Sequence, residues 1–400
     1  MSQSYYSAQS FATRRRPRNT NNFTNKNRRG RSVKYIDPNR FIKAASAVQQ
    51  ETQEVTNNFE DFALEALLQQ NLKAKGFVKP SPIQDLAIPL GLERKDVIGI
   101  ANTGTGKTVA FALPVLQRLI TEQNSGALII APTRELAQQI EEECRTLAKS
   151  SGLTGALLIG GSNMGNQLRA LRDKPRIVIG TPGRIKDHLN RRTLNLSRFN
   201  MVVLDEVDRM LDMGFVDDVT EILKQTNPNR QSFFFSATMD RRVRQLIDSF
   251  TNNPETISLK ASSASENVHQ NVVRFQSSND KMEKLHNVLL QQDAKKVIVF
   301  DDTQRSVDKL HKELVQRGFM AESMHGGKSQ GQRQRALAKF KKSEINILVA
   351  TDVAARGIDV TDITHVVNYS VPGTYEDYIH RIGRAGRAGK TGYALTFVAQ

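Results

Sequence analysis

Short apolar runs alternate along the chain with stretches in which apolar residues recur at helical spacing. Several runs are apolar at nearly every position, which is typical of strands buried on both faces of a parallel sheet covered by helices. In the first half of the chain the predicted strands are Val97–Ala101, Ala127–Ala131, Ala156–Ile159, Arg176–Gly180, Met201–Leu204 and Ser232–Phe235. In the second half they are Val297–Phe300, Ala321–Met324, Asn346–Ala350, His365–Asn368 and Ala394–Val398. The alternation predicts the α/β class with parallel sheets.

The alternation fails between residues 252 and 267, where Asn-Asn-Pro is followed by Ala-Ser-Ser-Ala-Ser. Clusters of such residues between two periodic regions are typical of a linker. We therefore expect two α/β domains in tandem, over residues 59–255 and 268–400, joined by a linker at 256–267. A length of 400 residues suits two domains with an additional tail.

The charge of the chain is large and unevenly distributed. The net charge is +16, which favours a polyanionic partner such as nucleic acid. Residues 1–58 contain eleven Lys and Arg against three acidic residues, and residues 1–45 are rich in Asn, Arg and Ser. We expect residues 1–58 to be a basic, largely disordered extension, because helical spacing begins only near Phe41 and becomes clear from Phe62 to Leu72. A solvated basic tail without a specific partner is the alternative.

Three features indicate the compartment. The single cysteine, Cys144, excludes an intramolecular disulfide and a cysteine metal cluster, and it fits a reducing environment. No apolar run approaches the roughly 18 residues that a membrane span needs. The first residues lack the charged and then apolar order of a secretory signal. We therefore expect a cytoplasmic protein, a monomer without a membrane partner.

A glycine-rich loop, Ala-Asn-Thr-Gly-Thr-Gly-Lys-Thr over residues 101–108, follows the first predicted strand and precedes helical spacing at Val109–Ile120. This strand–loop–helix order is the context of a phosphate-binding loop. Its glycines let backbone N–H groups turn toward phosphates at the positive end of the helix. We expect Lys107 to reach the β- and γ-phosphates and Thr108 to bind Mg²⁺ through its hydroxyl.

Two carboxylates follow the strand Met201–Leu204 directly, within Asp-Glu-Val-Asp at residues 205–208. In open α/β sheets the carboxyl ends of the strands are where ligands bind. We expect Asp205 to hold Mg²⁺, through water, and Glu206 to orient and deprotonate the attacking water. Together with the phosphate loop, this pair predicts hydrolysis of ATP or a related nucleotide, with Mg²⁺ as cofactor.

Further short motifs occur in a fixed order along the chain. They are Phe59, Gly76–Gln84, Pro132–Ala137, Gly160–Gly161, Thr181–Arg184, Ser236–Thr238, Val349–Asp359 and His380–Arg387. As an ordered set they resemble the motifs of the DEAD-box RNA helicases, ATP-dependent enzymes of helicase superfamily 2. The acidic motif at residues 205–208 reads Asp-Glu-Val-Asp, with Val207 where the family has Ala, and both functional carboxylates are kept. The resemblance runs from Phe59 to about Val398 and implies two RecA-like domains of the P-loop NTPase type.

The resemblance implies an ATP site that both domains build. Gln84 has an amide that can read an adenine edge, and Phe77 and Phe59 can stack on the base, although core packing is the alternative for Phe59. The ATP-binding residues that it implies are Phe59, Phe77, Gln84, Thr103, Gly104, Thr105, Gly106, Lys107, Thr108 and, on the ribose, Asp359. Arg384 and Arg387 would act as arginine fingers on the γ-phosphate when the domains close, so that the catalytic set is Lys107, Glu206, Arg384 and Arg387.

The resemblance also implies RNA contacts. The chain has no Trp and 6% aromatic residues, which argues against a platform of rings that stack on successive bases. We expect sequence-independent contacts to the sugar-phosphate backbone, with a preference for RNA that rests on 2′-hydroxyls. The residues implied are Pro132, Arg134, Gly161, Thr181, Arg184, Gly326, Thr351 and Asp352.

Four residues are expected to couple the nucleotide to RNA: Asp208, Ser236, Thr238 and His380. Ser236 and Thr238 would relay domain closure, and the alternative is that they merely satisfy buried carboxylates. The implied function is an ATP-dependent RNA helicase that separates strands locally and without processivity, or remodels RNA–protein particles, with regulatory protein partners possible. An ATP-dependent RNA clamp and a DNA translocase of the same superfamily are the competing interpretations.

Overall fold

The computed structural model describes residues 36–45, 55–102, 104–259, 267–355, 358, 360, 362–386 and 390–400. Three of the predicted site residues, Thr103, Asp359 and Arg387, lie outside the described residues. The fold consists of two parallel α/β domains of the RecA type, as the alternation and the resemblance predict.

Seven parallel strands build the sheet of the first domain. They are β1 (Val97–Ile100), β2 (Ala127–Ile130), β3 (Gly155–Leu158), β4 (Ile177–Gly180), β5 (Met201–Leu204), β6 (Gln231–Ser236) and β7 (Glu255–Ser258). Their order across the sheet is β3-β4-β2-β5-β6-β1-β7. Neighbouring residues of a strand enter opposite hydrophobic cores: Ile129 and Val203 pack into one, and Leu128 and Val202 into the other. This burial on both faces explains the uninterrupted apolar runs.

Nine helices cover the two faces of this sheet within the described residues. They are α1 (Ala66–Ala74), α2 (Pro82–Leu92), α3 (Lys107–Thr121), α4 (Arg134–Leu147), α5 (Met164–Arg172), α6 (Pro182–Asn190), α7 (Val207–Asp212), α8 (Val216–Lys224) and α9 (Arg241–Asp248). Helices α1 to α4 pack on one face and α5 to α9 on the other. Side-chain caps begin several of them, as where Thr133 accepts a hydrogen bond from the backbone of Leu136.

The second domain repeats this architecture. Its strands are β8 (Val268–Phe275), β9 (Val297–Phe300), β10 (Ala321–Met324), β11 (Ile347–Ala350), β12 (His365–Asn368) and β13 (Gly392–Ala399), all parallel, in the order β10-β11-β9-β12-β13-β8. Its described helices are α10 (Ser278–Leu289), α11 (Gln304–Gln316), α12 (Gln330–Lys341), α13 (Asp352–Ala355) and α14 (Tyr375–Ile382). Helices α10 and α11 pack on one face of the sheet, and α12 to α14 on the other.

Two strands differ from the sequence prediction. Strand β7 occupies the start of the stretch predicted as a linker, and only Ile257 of its four residues is buried. Strand β8 lies at one edge of the second sheet, and its first four residues alternate between buried and exposed. Both strands lie at a sheet edge and are buried at few of their positions, so they lack a continuous apolar run, whereas the edge strands β3 and β10 are buried at half or more of theirs.

The N-terminal extension also differs from its prediction. Residues 36–45 form a one-turn 3₁₀ helix, Pro38–Phe41, and Phe41 is buried in the core of the second domain. The backbone amides of Thr56 and Asn57 donate hydrogen bonds to the carboxylate of Asp85 in α2. These two stretches are therefore structured parts of the fold, which corrects the expectation of disorder for them. Phe41 is a single apolar residue and therefore gives no periodic signal, and its partners in the second domain lie hundreds of positions further along the chain.

Candidate nucleotide and RNA site

The loop between β1 and α3 has the geometry of a phosphate-binding loop. Gly104 and Gly106 have φ angles of +83° and +93°, which glycine adopts far more readily than other residues. Lys107 is the first residue of α3 and is buried, and its Nζ donates a hydrogen bond to the carbonyl oxygen of Ala101 at 2.9 Å. An ammonium group and the positive end of a 15-residue helix therefore meet at this loop.

Gln84 and Ser81 brace the phosphate loop from α2. Gln84 Nε2 donates to the carbonyl oxygen of Gly106 at 3.0 Å, and Gln84 Oε1 accepts from the backbone N–H of Ser81 at 2.8 Å. Ser81 Oγ donates to the carbonyl oxygen of Thr105 at 2.7 Å. An amide has two N–H groups and two acceptor lone pairs, so one of each remains for an adenine edge, and that contact stays a prediction. Sequence reasoning missed the role of Ser81 in the loop, although its spacing to Gln84 is that of a capping box.

The two predicted adenine-stacking residues lie side by side. The ring centroids of Phe59 and Phe77 are 5.7 Å apart with an edge-on angle of 67°, and Phe62 lies 6.0 Å from Phe59. Phe59 is buried and belongs to the hydrophobic core, whereas Phe77 is half-buried. Phe59 thus has the core packing that the sequence left open as the alternative, and base stacking stays a prediction for both residues.

Asp205 and Glu206, the two carboxylates that follow β5, are both buried. Burial raises the pKa of Asp205 to about 6; the charge of Lys107 opposes this shift and that of Glu206 adds to it. Glu206 has φ +55° and ψ +54°, a left-handed conformation that is uncommon for a residue other than glycine. Such outliers concentrate at functional sites. Glu206 Oε2 accepts a hydrogen bond at 2.9 Å from Arg209 Nη1, and both side chains are buried.

The donor set around the loop fits Mg²⁺. This ion keeps several waters and is usually bound by one or two protein oxygens together with substrate phosphates. Asp205 supplies a buried carboxylate whose raised pKa reflects a burial penalty that a cation would relieve, and the half-buried hydroxyl of Thr108 begins α3 beside Lys107. No group of three or more His, Cys, Asp or Glu among the described residues is arranged to hold a metal ion by itself.

Asp208 connects the acidic motif to the turn that follows β6. Its Oδ2 accepts hydrogen bonds from the backbone N–H groups of Ala237 and Thr238 at 3.1 and 3.0 Å, and from Thr238 Oγ1 at 3.1 Å. Ser236 Oγ accepts from the backbone N–H of Asp208 at 3.3 Å. Strand β6 lies between β1 and β5 in the sheet. The turn therefore joins the two strands that carry the phosphate loop and the acidic pair, and its role as a relay stays a prediction.

The predicted RNA residues of the first domain follow three neighbouring strands, β3, β4 and β2. The guanidinium of Arg134 lies against the backbone of Gly161, where a Cβ would come within 2.5 Å of Arg134 Nη1. Arg184 Nη1 donates to the carbonyl oxygen of Ser162 at 3.5 Å. Thr181 is the N-cap residue of α6. Two cations and two helix starts are thus brought to one edge of the sheet, together with the buried Pro132.

In the second domain, α14 is held by an ion pair between the buried Arg381 and the half-buried Asp352. Arg381 donates through Nε and Nη2 to the two carboxylate oxygens of Asp352, at 2.6 Å each, and through Nη1 to the carbonyl oxygen of Ser370 at 2.8 Å. Arg384 is buried, and its Nη1 donates to the carbonyl oxygen of Ile358 at 2.9 Å. Arg381 was not among the predicted site residues, although its spacing of three from Arg384 was visible. Asp352 therefore has a partner within the domain, and its contact with RNA stays a prediction.

The other predicted residues of this domain follow the same strand ends. Gly326 comes after β10 and Thr351 after β11, next to each other in the sheet. His380 lies in the last turn of α14 and lines a small cavity with Asp352 and Arg384. Its expected link to the acidic motif at 205–208 stays a prediction.

A contact between the two domains lies beside the RNA candidates. Arg333 Nη2 of α12 is 2.7 Å from Glu135 Oε2 of α4, and both side chains are buried. Gln330 Nε2 of α12 donates to Gln138 Oε1 of α4 at 3.1 Å. Sequence reasoning missed this contact, because the spacing of residues along one chain cannot pair helices of different domains.

A phosphate loop after β1, a buried acidic pair after β5 and two parallel RecA-like domains define a P-loop nucleotide hydrolase of the two-domain helicase type. The described residues contain no helix long and apolar enough to cross a membrane.

Comparisons with known proteins specify the family. The DEAD/DEAH box helicase family matches residues 81–246, and the helicase conserved C-terminal domain matches residues 280–389. The chain is 46% identical over 341 residues to the ATP-dependent RNA helicase CshA of Listeria monocytogenes. This alignment covers 85% of this chain and 66% of that protein. It is 45% identical over 346 residues to the DEAD-box ATP-dependent RNA helicase CshA of Bacillus subtilis, covering 86% of this chain and 70% of that protein.

Solved structures agree. S. cerevisiae Dbp5 bound to RNA and ADP BeF3 superposes with a TM-score of 0.76 at 31% identity, over 86% of this chain and 90% of that chain. Mss116p bound to ssRNA and AMP-PNP gives 0.77 at 30% identity, over 87% of this chain and 76% of that chain. The chain therefore belongs to the DEAD-box family of ATP-dependent RNA helicases.

Proposed function

We propose that this protein hydrolyses ATP between its two domains, in response to RNA, and uses closure of the domains to separate short RNA duplexes or remodel RNA–protein particles. One observation carries the proposal. In the first sheet the nucleotide residues follow β5, β6 and β1, the RNA candidates follow β3, β4 and β2, and the two halves meet where β2 pairs with β5. Both ligands would therefore bind along one edge of a single rigid sheet.

The first domain binds the nucleotide in this proposal. Lys107 and the N–H groups of the loop hold the phosphates. Gln84 selects adenine with the N–H group and the acceptor lone pair of its amide that Gly106 and Ser81 leave unused. Thr108 and Asp205 would hold Mg²⁺, which would neutralise charge on the β- and γ-phosphates. Glu206 orients the attacking water and accepts its proton. Its left-handed backbone conformation supports this role, because such uncommon conformations concentrate at functional sites.

The second domain completes the site. Arg384 and Arg387 stabilise the charge that develops on the transferred phosphoryl group, a contribution worth roughly 10³–10⁵ in rate for such arginines. Hydrolysis then depends on closure of the domains. The bidentate pair between Arg381 and Asp352 supports this role, because it fixes the helix that leads into Arg384.

RNA binds across both domains through its backbone. Arg134, Arg184 and the N-terminal ends of α4 and α6 offer donors to phosphates of a bent single strand. Closure excludes a regular duplex, so one strand is displaced, and hydrolysis reopens the cleft and releases the RNA. The turn after β6 transmits the state of the nucleotide through Asp208.

Residues 1–35, which precede the described residues, add an electrostatic tether. Residues 1–35 contain nine Lys and Arg and no acidic residue. Deletion of these 35 residues weakens RNA affinity at low salt and flattens its salt dependence, because fewer counterions are released on binding. Basal ATP hydrolysis is unchanged. A cytoplasmic location, a monomeric state and regulatory protein partners complete the proposal.

The test compares ATP hydrolysis by the full chain with single-stranded RNA, with single-stranded DNA and without nucleic acid. RNA should stimulate turnover several-fold more than DNA. Equal stimulation by DNA would contradict the RNA assignment. Dissociation of RNA in the presence of a non-hydrolysable ATP analogue tests the clamp, since a clamp retains its RNA for minutes.

A further inference from the structure

We infer that the segment of residues 36–45 is a built-in support of α14, and that Phe41 is a positioning residue for Arg384. The inference deepens the proposed function, on which it rests. The segment precedes the first domain in the chain, yet its described contacts with distant residues are made with the second domain.

Phe41 and Arg40 both contact the first half of α14. The ring of Phe41 is fully buried, and its centroid lies 4.6 Å from that of Tyr378. The guanidinium carbon of Arg40 lies 4.0 Å from the ring centroid of Tyr375, one turn earlier on the same helix. A packed ring and a cation–π contact thus hold two successive turns of this helix from one side.

Backbone hydrogen bonds fix the segment to the edge of the second sheet. The N–H of Lys43 donates to the carbonyl oxygen of Gln270 at 3.0 Å, and the N–H of Gln270 donates to the carbonyl oxygen of Lys43 at 2.8 Å. The N–H of Ala45 donates to His269 Nδ1 at 3.2 Å. The segment therefore covers the exposed edge of β8 with an antiparallel bridge.

Gln270 joins the segment, the sheet and α14. Its backbone pairs with Lys43, while its side-chain Oε1 accepts a hydrogen bond from the Tyr378 hydroxyl at 2.9 Å. Tyr378 thus contacts the segment through its ring and the sheet edge through its hydroxyl. Both contacts set how far α14 stands from the sheet.

The second half of α14 leads to the arginine finger. Arg381 is three residues beyond Tyr378 and forms the ion pair with Asp352, and the backbone N–H of Arg384 donates to the carbonyl oxygen of Arg381 at 3.1 Å. A shift at Tyr378 is therefore passed along one short helix to Arg384. Because misplacing a catalytic group by about 1 Å can lower a rate about 100-fold, loss of Phe41 should impair hydrolysis more than ATP binding, which belongs to the first domain.

The experiment compares Phe41→Ala and Phe41→Leu with Ile42→Ala in the full chain. Ile42 is the matched control, because it is the next residue in the segment and is 54% exposed. ATP hydrolysis is measured at saturating RNA, at a temperature where melting curves show every variant to be folded. For Phe41→Ala we expect kcat to fall at least about tenfold, within the range that such misplacement produces, with an unchanged KM for ATP. Phe41→Leu should recover most of the loss, and Ile42→Ala should match the wild type.

Hydrogen exchange provides a readout that does not depend on activity. In Phe41→Ala the amides of Tyr375–Ile382 should exchange faster, while those of α4 in the first domain should not change. Deletion of residues 1–35 should leave α14 protected, and deletion of residues 1–45 should expose it. If α14 is equally protected in Phe41→Ala and Ile42→Ala, or if kcat is equal in both, the inference is wrong. Absence of RNA-stimulated hydrolysis in the wild type would instead refute the proposed function. The exchange experiment would then decide whether Phe41 supports α14.

Discussion

Replacing Asp205 with Asn should stabilise the protein in the absence of nucleotide and metal. Asp205 is 3% exposed, and burial raises its pKa to about 6. An unfolded Asp has a pKa of about 3.9 and each unit is worth about 1.4 kcal/mol, so folding the charged form at neutral pH is penalised by about 3 kcal/mol. Asn keeps the shape of the side chain, and its oxygen can still accept the 3.0 Å hydrogen bond from the backbone of Glu206.

The gain should depend on pH in a defined direction. Below about pH 4 the carboxyl group is protonated in the folded and the unfolded protein, so the wild type and the variant are about equally stable. Between about pH 4 and pH 6 the unfolded wild type releases its proton before the folded one, and the wild type loses stability as the pH rises. Above about pH 6 both states are ionised, and the variant keeps its full advantage.

The assay is urea unfolding followed by far-ultraviolet circular dichroism, since the chain has no Trp to report fluorescence. Measurements are made with EDTA and without nucleotide, at pH 7.5 and pH 4.5, on Asp205→Asn and on the control Asp217→Asn at the exposed start of α8. The advantage of Asp205→Asn should be largest at pH 7.5 and shrink at pH 4.5. A variant that is less stable than the wild type at pH 7.5, or an advantage independent of pH, would refute the argument from burial.

Three further variants test the site. Gly106→Ala should weaken ATP binding at least about tenfold in a titration, because a side chain strains its left-handed backbone and the new Cβ would clash with Gln84 Nε2. The control Gly331→Ala has open space around it and should bind ATP normally. Thr238→Val removes one of the three hydrogen bonds to Asp208 Oδ2, so unwinding should fall about 10- to 100-fold while ATP hydrolysis falls less; equal losses in both assays would mean that the turn relays nothing. Glu206→Gln should stop turnover and prolong RNA retention with ATP, and normal turnover would show that another group is the base.

The sequence predicted the strands that are buried on both faces and the residues that lie in short contiguous motifs. The run Met201–Leu204 is apolar because both cores contact it, so its position and the carboxylates after it were readable without coordinates. The edge strands β7 and β8 were not predicted, because most of their residues are not buried and they therefore lack the continuous apolar signal.

Long-range partners were the part of the site that the sequence did not disclose. The pair between Glu135 and Arg333 joins helices of different domains, and the packing of Phe41 on Tyr378 spans most of the chain. Neither contact has a spacing that a periodic pattern detects. Residues such as Asp208 were predicted by type and position, but their hydrogen-bond partners required the fold.

The most direct measurement of the shared active site is RNA-stimulated ATP turnover in Arg384→Ala and Arg387→Ala, compared with Lys107→Ala. We expect each arginine variant to bind ATP normally and to lose roughly 10³-fold or more in kcat, as an arginine finger should. Normal turnover in both arginine variants, together with an inactive Lys107→Ala, would show that the first domain catalyses hydrolysis alone.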